Sequence, residues 1–358
     1  MPTLTIVSGT GGKGPACFLV DTGHARLMLD LGYGPQPGLR PDVDGIGHVD
    51  ALLLSHSHRD HAGSLQLRAH LGAPPVHATD IVRRRLPPAD THEALPLQGS
   101  ATVAGTTVTT GRSGHAPGGV WLHLDVGGGL LYMGDNCAES ALYAWDTPPA
   151  AEVVILDASY GDDDVTLAER ARAFDAAFDA GPTLLPVPPA GRGPEIALHA
   201  ARTGRAIGVD DAVRASLRNL ATGDLACLRE GIAGDVARLA DDAGAIEHPE
   251  GVMLAGIADG TSGASAALLE RWRQSTDPAI IFSGYLPPGT PAQTLTQSGR
   301  ARYLRWNVHP RLSDNVRLVR STGAGTVVPA FGDARRHRGA WETAFAPARI
   351  QIDGIVSF

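Results

Sequence analysis

Three histidines and one aspartate crowd into positions 56 to 61, inside LLLSHSHRDHAG (residues 52–63) and directly after a run of leucines. In an extended segment side chains two apart share a side, so His56 and His58 converge, while Asp60 and His61, at the turn that follows, reach a second point nearby. Neutral imidazole and carboxylate at this spacing suit zinc, one or two ions, with manganese or iron as alternatives. The absence of nearby cysteine points to an open catalytic centre rather than a closed structural one. Solvated loop histidines are the blander alternative, and four donors in six residues at a strand end outweigh it. Two coordination shells need further donors from other strand ends, and His115 in SGHAPGG and Asp135 in LYMGDN are the candidates.

The elements that must position these groups are strands at first. TLTIVSG, ACFLVDTG and ARLMLDLG are short, β-branched or alternating, and punctuated by glycine. VDALLLSH is a continuous apolar run of the kind a strand buried on both faces shows. Short helices are expected after Ser64 and over TDIVRRRL, then strands in ATVAGTTVTTG, GVWLHLDVG, GLLYMGD and AEVVILDASYG. The middle differs in kind: TLAERARAFDAAFDAG is an amphipathic helix, PTLLPVPPAGRGPEIALHAAR reads strand, turn, helix, and AIIFSGYLPPGTPAQTL repeats that form, as in a parallel α/β layer. These patterns predict an α/β chain with a domain inserted at 166–297, splitting the first domain into residues 1–165 and 298–358.

The 358 residues carry a net charge of −8, which argues against a molecule basic all over. Nine arginines between Arg300 and Arg338 face only Asp314 and Asp333, so that segment is locally +7 and is a candidate surface for a polyanion. Three widely spaced cysteines suggest neither disulfides nor a thiolate site. No apolar stretch reaches the roughly 18 residues of a membrane span, and MPTLTIVSGTGG has no basic region leading into an apolar one. A cytoplasmic protein without membrane contact is expected, with homo-oligomerisation left open.

Taken in order, LDLG, SHSHRDH, SGH and YMGD resemble the successive motifs of the metallo-β-lactamase fold hydrolases. The resemblance implies an αββα sandwich with the site at the edge where its sheets meet. His56, His58, His115 and Asp135 would hold one metal, Asp60, His61 and a bridging Asp135 a second, and Asp30 would support the metal-bearing loop. LDASYG, PVPPAGRGPE, IFSGYLPPGT and WNVHPRLSD further resemble, in order and spacing, segments of the β-CASP nucleases, the group of RNase J and of the polyadenylation cleavage subunit. That implies a β-CASP-like inserted domain, with Asp157 matching an acidic residue that orients His309, and His309 protonating the departing oxygen of a phosphodiester. Arg192, in a Gly/Pro turn opening a helix, and Thr290 are candidate phosphate contacts.

The function these features predict is a metal-dependent phosphodiesterase, a nuclease acting on nucleic acid with RNA favoured over DNA, in which Asp60 helps position a metal-activated hydroxide. One residue departs from the group's pattern: Phe331, in VVPAFGDA, stands where a metal-binding histidine is expected. The second ion would then be weaker, absent, or completed from elsewhere, as by His337. Two other functions follow as alternatives: a metallohydrolase of small thioesters or lactones, and a weakly active or inactive RNA-binding homologue.

Overall fold

The computed structural model describes residues 1–88 and 92–358. The chain divides into two compact units, one formed by Met1–Ala138, Trp145–Asp164 and His309–Phe358, the other by Glu139–Ala144 and Val165–Val308.

The first unit holds two seven-stranded sheets. In chain order its strands begin with β1 (Thr3–Ser8), β2 (Cys17–Asp21), β3 (Arg26–Leu29), β4 (Ala51–Leu53), β5 (Val76–Thr79) and β6 (His92–Leu95). They continue with β7 (Gly99–Val103), β8 (Thr106–Arg112), β9 (Val120–Leu124), β10 (Leu130–Tyr132) and β11 (Val153–Asp157). The second unit contributes β12 (Thr183–Pro186), β13 (Ile207–Val209), β14 (Val252–Ala255), β15 (Ala279–Phe282) and β16 (Ala301–Tyr303), and the chain then returns with β17 (Thr326–Ala330), β18 (Arg349–Ile350) and β19 (Ile355–Ser357). The first unit's sheets run β19-β1-β2-β3-β4-β5-β6 and β18-β17-β11-β10-β9-β8-β7.

Alternation along each strand assigns its two faces. Phe18, Val20, Leu27 and Leu29 from one sheet and Leu130, Tyr132, Val153 and Ile155 from the other share a single buried cluster, the sandwich core. The intervening residues point outward and are covered by helices. Cys17, Leu19, Met28 and Leu52 pack with Val82 of the short helix α2 (Asp80–Arg83), which follows α1 (Arg59–Ala62). Leu131, Val154, Leu156 and Val327 of the second sheet pack with residues 318 and 319 and with Trp341 and Phe345. Both faces of the inner strands are therefore apolar, which is why VDALLLSH carries no alternation. The result is a helix, sheet, sheet, helix sandwich.

The stretch ATVAGTTVTTG, expected as one strand, is instead a hairpin. β7 and β8 pair with Val103 opposite Thr106, and the two linking residues, Ala104 and Gly105, have φ of +46° and +80°. Two left-handed residues in a two-residue loop match the twist of the flanking strands.

The second unit is a five-stranded parallel sheet, ordered β13-β14-β12-β15-β16. It carries α3 (Leu167–Ala180), α4 (Arg192–Arg202), α5 (Asp211–Thr222), α6 (Ala233–Asp242), α7 (Gly263–Arg271) and α8 (Pro291–Gln297). Thr166 begins α3 in a capping box with Glu169. Residues 298–308 belong with this unit because β16 pairs with β15, so the unit runs past the 297 expected from sequence. The helices α9 (Leu312–Thr322) and α10 (Ala334–Phe345), which supply residues 318, 319, 341 and 345, complete the first unit. Among the described residues no helix is long and apolar enough to cross a membrane.

Candidate metal centre

The candidate ligands lie where strands of the first unit end. β3 and β4 are parallel neighbours, as are β10, β11 and β17, so the residues following them emerge at adjacent C-terminal ends. Asp30 follows β3, His56 and His58 follow β4, Asp135 follows β10, Asp157 closes β11, and Phe331 follows β17. His115 comes from the loop after β8, Asp60 and His61 from α1, and His309 from the segment before α9.

Two glycines make the approach feasible. A Cβ at Gly32, in LDLG, would lie 1.7 Å from the carbonyl oxygen of Asp60, so only glycine lets α1 sit against that segment. Gly134, before Asp135, has φ +53°, and a Cβ there would reach 2.7 Å from the Cβ of Ser55.

Three groups of ligand atoms, each within 4.8 Å of one another, result: His56, His58, His115 and Asp135; Asp60, His61 and Asp135; and Asp135, Asp157 and His309. Asp135 is common to all three. Its carboxylate lies 3.2 Å from His61 Nε2 and 3.4 Å from His115 Nε2. His115 Nε2 is 3.1 Å from His58 Nδ1.

The residues present fit a divalent ion on two counts. The Nε2 atoms of His56 and His58 are buried without a hydrogen-bond partner, a desolvation cost that a cation accepting their lone pairs would offset. Burial also holds the imidazoles of His56 and His58 deprotonated: the first titrates well below its ordinary value and the second is lowered to about 4. Neutral imidazole is the form that binds metal.

Behind the ligands, Asp30 acts as a fixed anchor. Its carboxylate accepts from Ser55 N at 2.7 Å, Ser55 Oγ at 2.6 Å and Tyr132 Oη at 2.5 Å, and meets His61 Nδ1 at 2.7 Å. A carboxylate on the far nitrogen of a histidine fixes the ring so that Nε2 faces the site. Burial opposes a charged His61, yet Asp135 and Asp30 together hold its pKa well above the ordinary value.

His309 and Asp157 form a buried pair, Nδ1 to Oδ2 at 2.7 Å. Asp157 is itself held by the backbone N–H groups of Asn136 and Ser159, and Asn315 Nδ2 donates to its carbonyl. The rings of His115 and His309 are 5.0 Å apart, which brings the pair beside the histidine cluster.

Phe331 does face this centre. Its ring meets that of His61 edge-on at 5.0 Å, and its backbone, at φ +63°, donates to Gly9 O at 2.7 Å. His337 does not join any of the three groups: it pairs with Asp162 and packs on Trp341. Sequence reasoning missed three contributors. Ser55 and Tyr132 hold Asp30, and Lys13 Nζ lies 2.9 Å from Asp60 Oδ2. For Lys13 the available signal was its being the chain's sole lysine, within the glycine-rich SGTGGKG. Burial, which disfavours its charge, is outweighed by Asp60, Asp135 and Asp157, so the ammonium is held. A cavity of about 480 Å³ opens beside this loop, with Lys13, Leu39 and Arg40 on its wall.

Arg192 and Thr290 belong to the second unit. Arg192 is the first residue of α4, and its guanidinium lies over Gly284, whose missing side chain leaves the space. Thr290 caps α8, accepting from Gln293 N and donating to Pro287 O at 2.6 Å, so its hydroxyl has a structural task. Of the arginines of 300–338, Arg300, Arg302 and Arg305 fall in the second unit, and in the first Arg311 and Arg317 pair with Asp314 and Arg338 with Glu342.

No family model matches the chain. It is 26% identical over 245 residues to the transcription termination factor FttA of Cenarchaeum symbiosum, a match covering 54% of this chain and 38% of that protein. A ribonuclease from Thermus thermophilus is 29% identical over 177 residues, 41% of each chain. An RNase J-like protein of Methanocaldococcus jannaschii is 42% identical over 52 residues, 14% of this chain and 12% of its own. These matches thus span less than half the length of each relative. Among solved structures, a protein of unknown function from Enterococcus faecalis superimposes with a TM-score of 0.58 and 15% identity over the full length of both chains, a likeness of fold.

Proposed function

We propose that this chain, a metallo-β-lactamase-fold protein of the β-CASP group, is a metal-dependent phosphodiesterase that hydrolyses RNA. The observation that carries the reading is the convergence of His56, His58, His115 and Asp135, and of Asp60, His61 and Asp135, from separate strand ends in one buried cluster. RNA is favoured over DNA because several relatives are named for work on RNA, a ribonuclease and an RNase J-like protein among them.

One or two divalent ions held by these residues, zinc first and manganese next, would supply positive charge to a phosphoryl oxygen and acidify a water. The chain's own groups do the rest. Asp30 fixes His61 through Nδ1, so the ring cannot rotate away from the site. Asp60, held charged against burial by Lys13 and His61, supplies a carboxylate acceptor that orients a water for in-line attack. Asp157 binds Nδ1 of His309 and stabilises the imidazolium, so His309 carries the proton that the departing oxygen takes up.

Labelled single-stranded RNA and DNA, incubated with zinc or manganese, test this directly. The wild type is expected to cut RNA faster than DNA, and both Asp60→Ala and His309→Ala are expected to lose roughly 100-fold or more. An Asp60→Ala protein cutting at the wild-type rate would overturn the assignment. A wild type that binds RNA without cutting it would favour the second reading, an inactive RNA-binding homologue, which Phe331 at the His61 ring supports.

A further inference from the structure

Asp60, His61 and Asp135 make a three-residue group beside the four-residue group of His56, His58, His115 and Asp135. The three-residue group is closed on one side by the Phe331 ring, which offers no lone pair and packs edge-on to His61 at 5.0 Å. Into the same group comes a positive charge that belongs to the chain, the Lys13 ammonium, 2.9 Å from Asp60 Oδ2.

The delivery is built rather than incidental. Lys13 stands in the loop between β1 and β2, and that loop is fastened at both ends to the site. Phe331 N–H donates to Gly9 O at 2.7 Å, and Ala16 N–H donates to Asp60 O at 2.9 Å. Ser8 Oγ donates to Pro15 O at 2.6 Å and closes the base of the loop. The residue lacking a ligand atom and the helix carrying Asp60 are thus the two anchors of the segment that brings the lysine. Its side chain is only 28% exposed, so the charge is set into the centre rather than waving over it.

We infer that the Lys13 ammonium fills the second cation position, so that this protein holds one divalent ion per chain, on His56, His58, His115 and Asp135, with the lysine supplying the second positive charge. The inference rests on the metal centre proposed above. An ammonium beside Asp60 Oδ2 disfavours a second ion at the same carboxylate, since like charges there repel strongly in a desolvated site.

Metal content of the purified full chain, measured by plasma mass spectrometry after saturation with zinc or manganese and removal of free ion, tests it. Wild type is expected to hold one ion. Lys13→Met, which keeps the length and removes the charge, is expected to hold two. Adding Phe331→His is expected to tighten the second ion about tenfold, read by calorimetric titration. Two ions on the wild type, or one on Lys13→Met, overturns the role of Lys13 while leaving the metal centre intact. No ion on the wild type overturns the metal centre itself, and the lysine inference with it. Because Phe331 lies in the sandwich core and its histidine variant risks misfolding, Lys13→Met alone decides the matter.

Discussion

At the scale of single residues, the centre is a set of first contacts oriented by a few buried groups. Asp30 meets Ser55, Tyr132 and His61 at once. Asp30→Asn is expected to weaken metal binding by about 10- to 100-fold, measured by titration against a chelator, because His61 loses the partner that fixes its ring. Tyr132→Phe removes one donor to that carboxylate and should cost about 1–2 kcal/mol in urea unfolding with metal affinity little changed. Asp157→Asn would offer an amide N–H to His309 Nδ1 and favour the wrong tautomer. Its turnover on RNA should fall roughly 10²- to 10⁴-fold while RNA binding, followed by gel shift, stays within about twofold. The window from His56 to His61 stood out in the sequence because its members are neighbours in the chain, where spacing alone implies convergence, whereas His115 and Asp135 come from distant strand ends. Lys13 did not stand out, since nothing local ties a glycine-flanked lysine to Asp60; the two meet only through the pairing of Ala16 with the α1 backbone. Asp157 and His309 were read through family resemblance, and by themselves they look like a strand end and a loop histidine.

At the scale of elements, close approach rather than propensity decides what forms. The helix α1 is four residues long and would not persist alone. It is held by backbone bonds from the segment after β3, Leu31 N–H to His61 O at 2.8 Å and Tyr33 N–H to Arg59 O at 2.8 Å. Gly32 lies between these contacts. Gly32→Ala is therefore expected to destabilise by roughly 4 kcal/mol or more, seen as a large drop in the urea midpoint, because a methyl would overlap the Asp60 carbonyl. The strands of the first unit were readable from their β-branched or alternating runs, and α3 from its amphipathic pattern. The β7–β8 hairpin was not, because its turn uses alanine at a left-handed position, and the usual Asn-Gly signal is missing.

At the scale of the whole molecule, the buried imidazoles tie stability to pH. In metal-free protein His56 and His58 stay neutral well below 6.5, whereas both protonate near 6.5 once unfolded. Between roughly pH 4 and 6.5 the unfolded chain binds more protons, so stability must fall as pH drops through that window, by about 1.4 kcal/mol per unit for each imidazole. His61 has the opposite sign: its contribution is full below 6.5 and is lost as pH rises through its raised value. Urea midpoints on chelator-treated protein near pH 7, 6 and 5 check this, and a flat profile below pH 6.5 would contradict neutral His56 and His58. The sequence's change of pattern near residue 166 lies next to the boundary at Val165. The return point was not legible in the sequence, because 301–303 is a short edge strand whose membership depends on pairing with β15 rather than on its own composition.

The chain's one lysine has a practical corollary for anyone watching the protein in solution. Cells fed isotope-labelled lysine would yield a molecule with a single side-chain ammonium signal, and that signal would originate 2.9 Å from Asp60. Every event at the centre would register on a spectrum free of overlap, with no probe attached and no cysteine introduced.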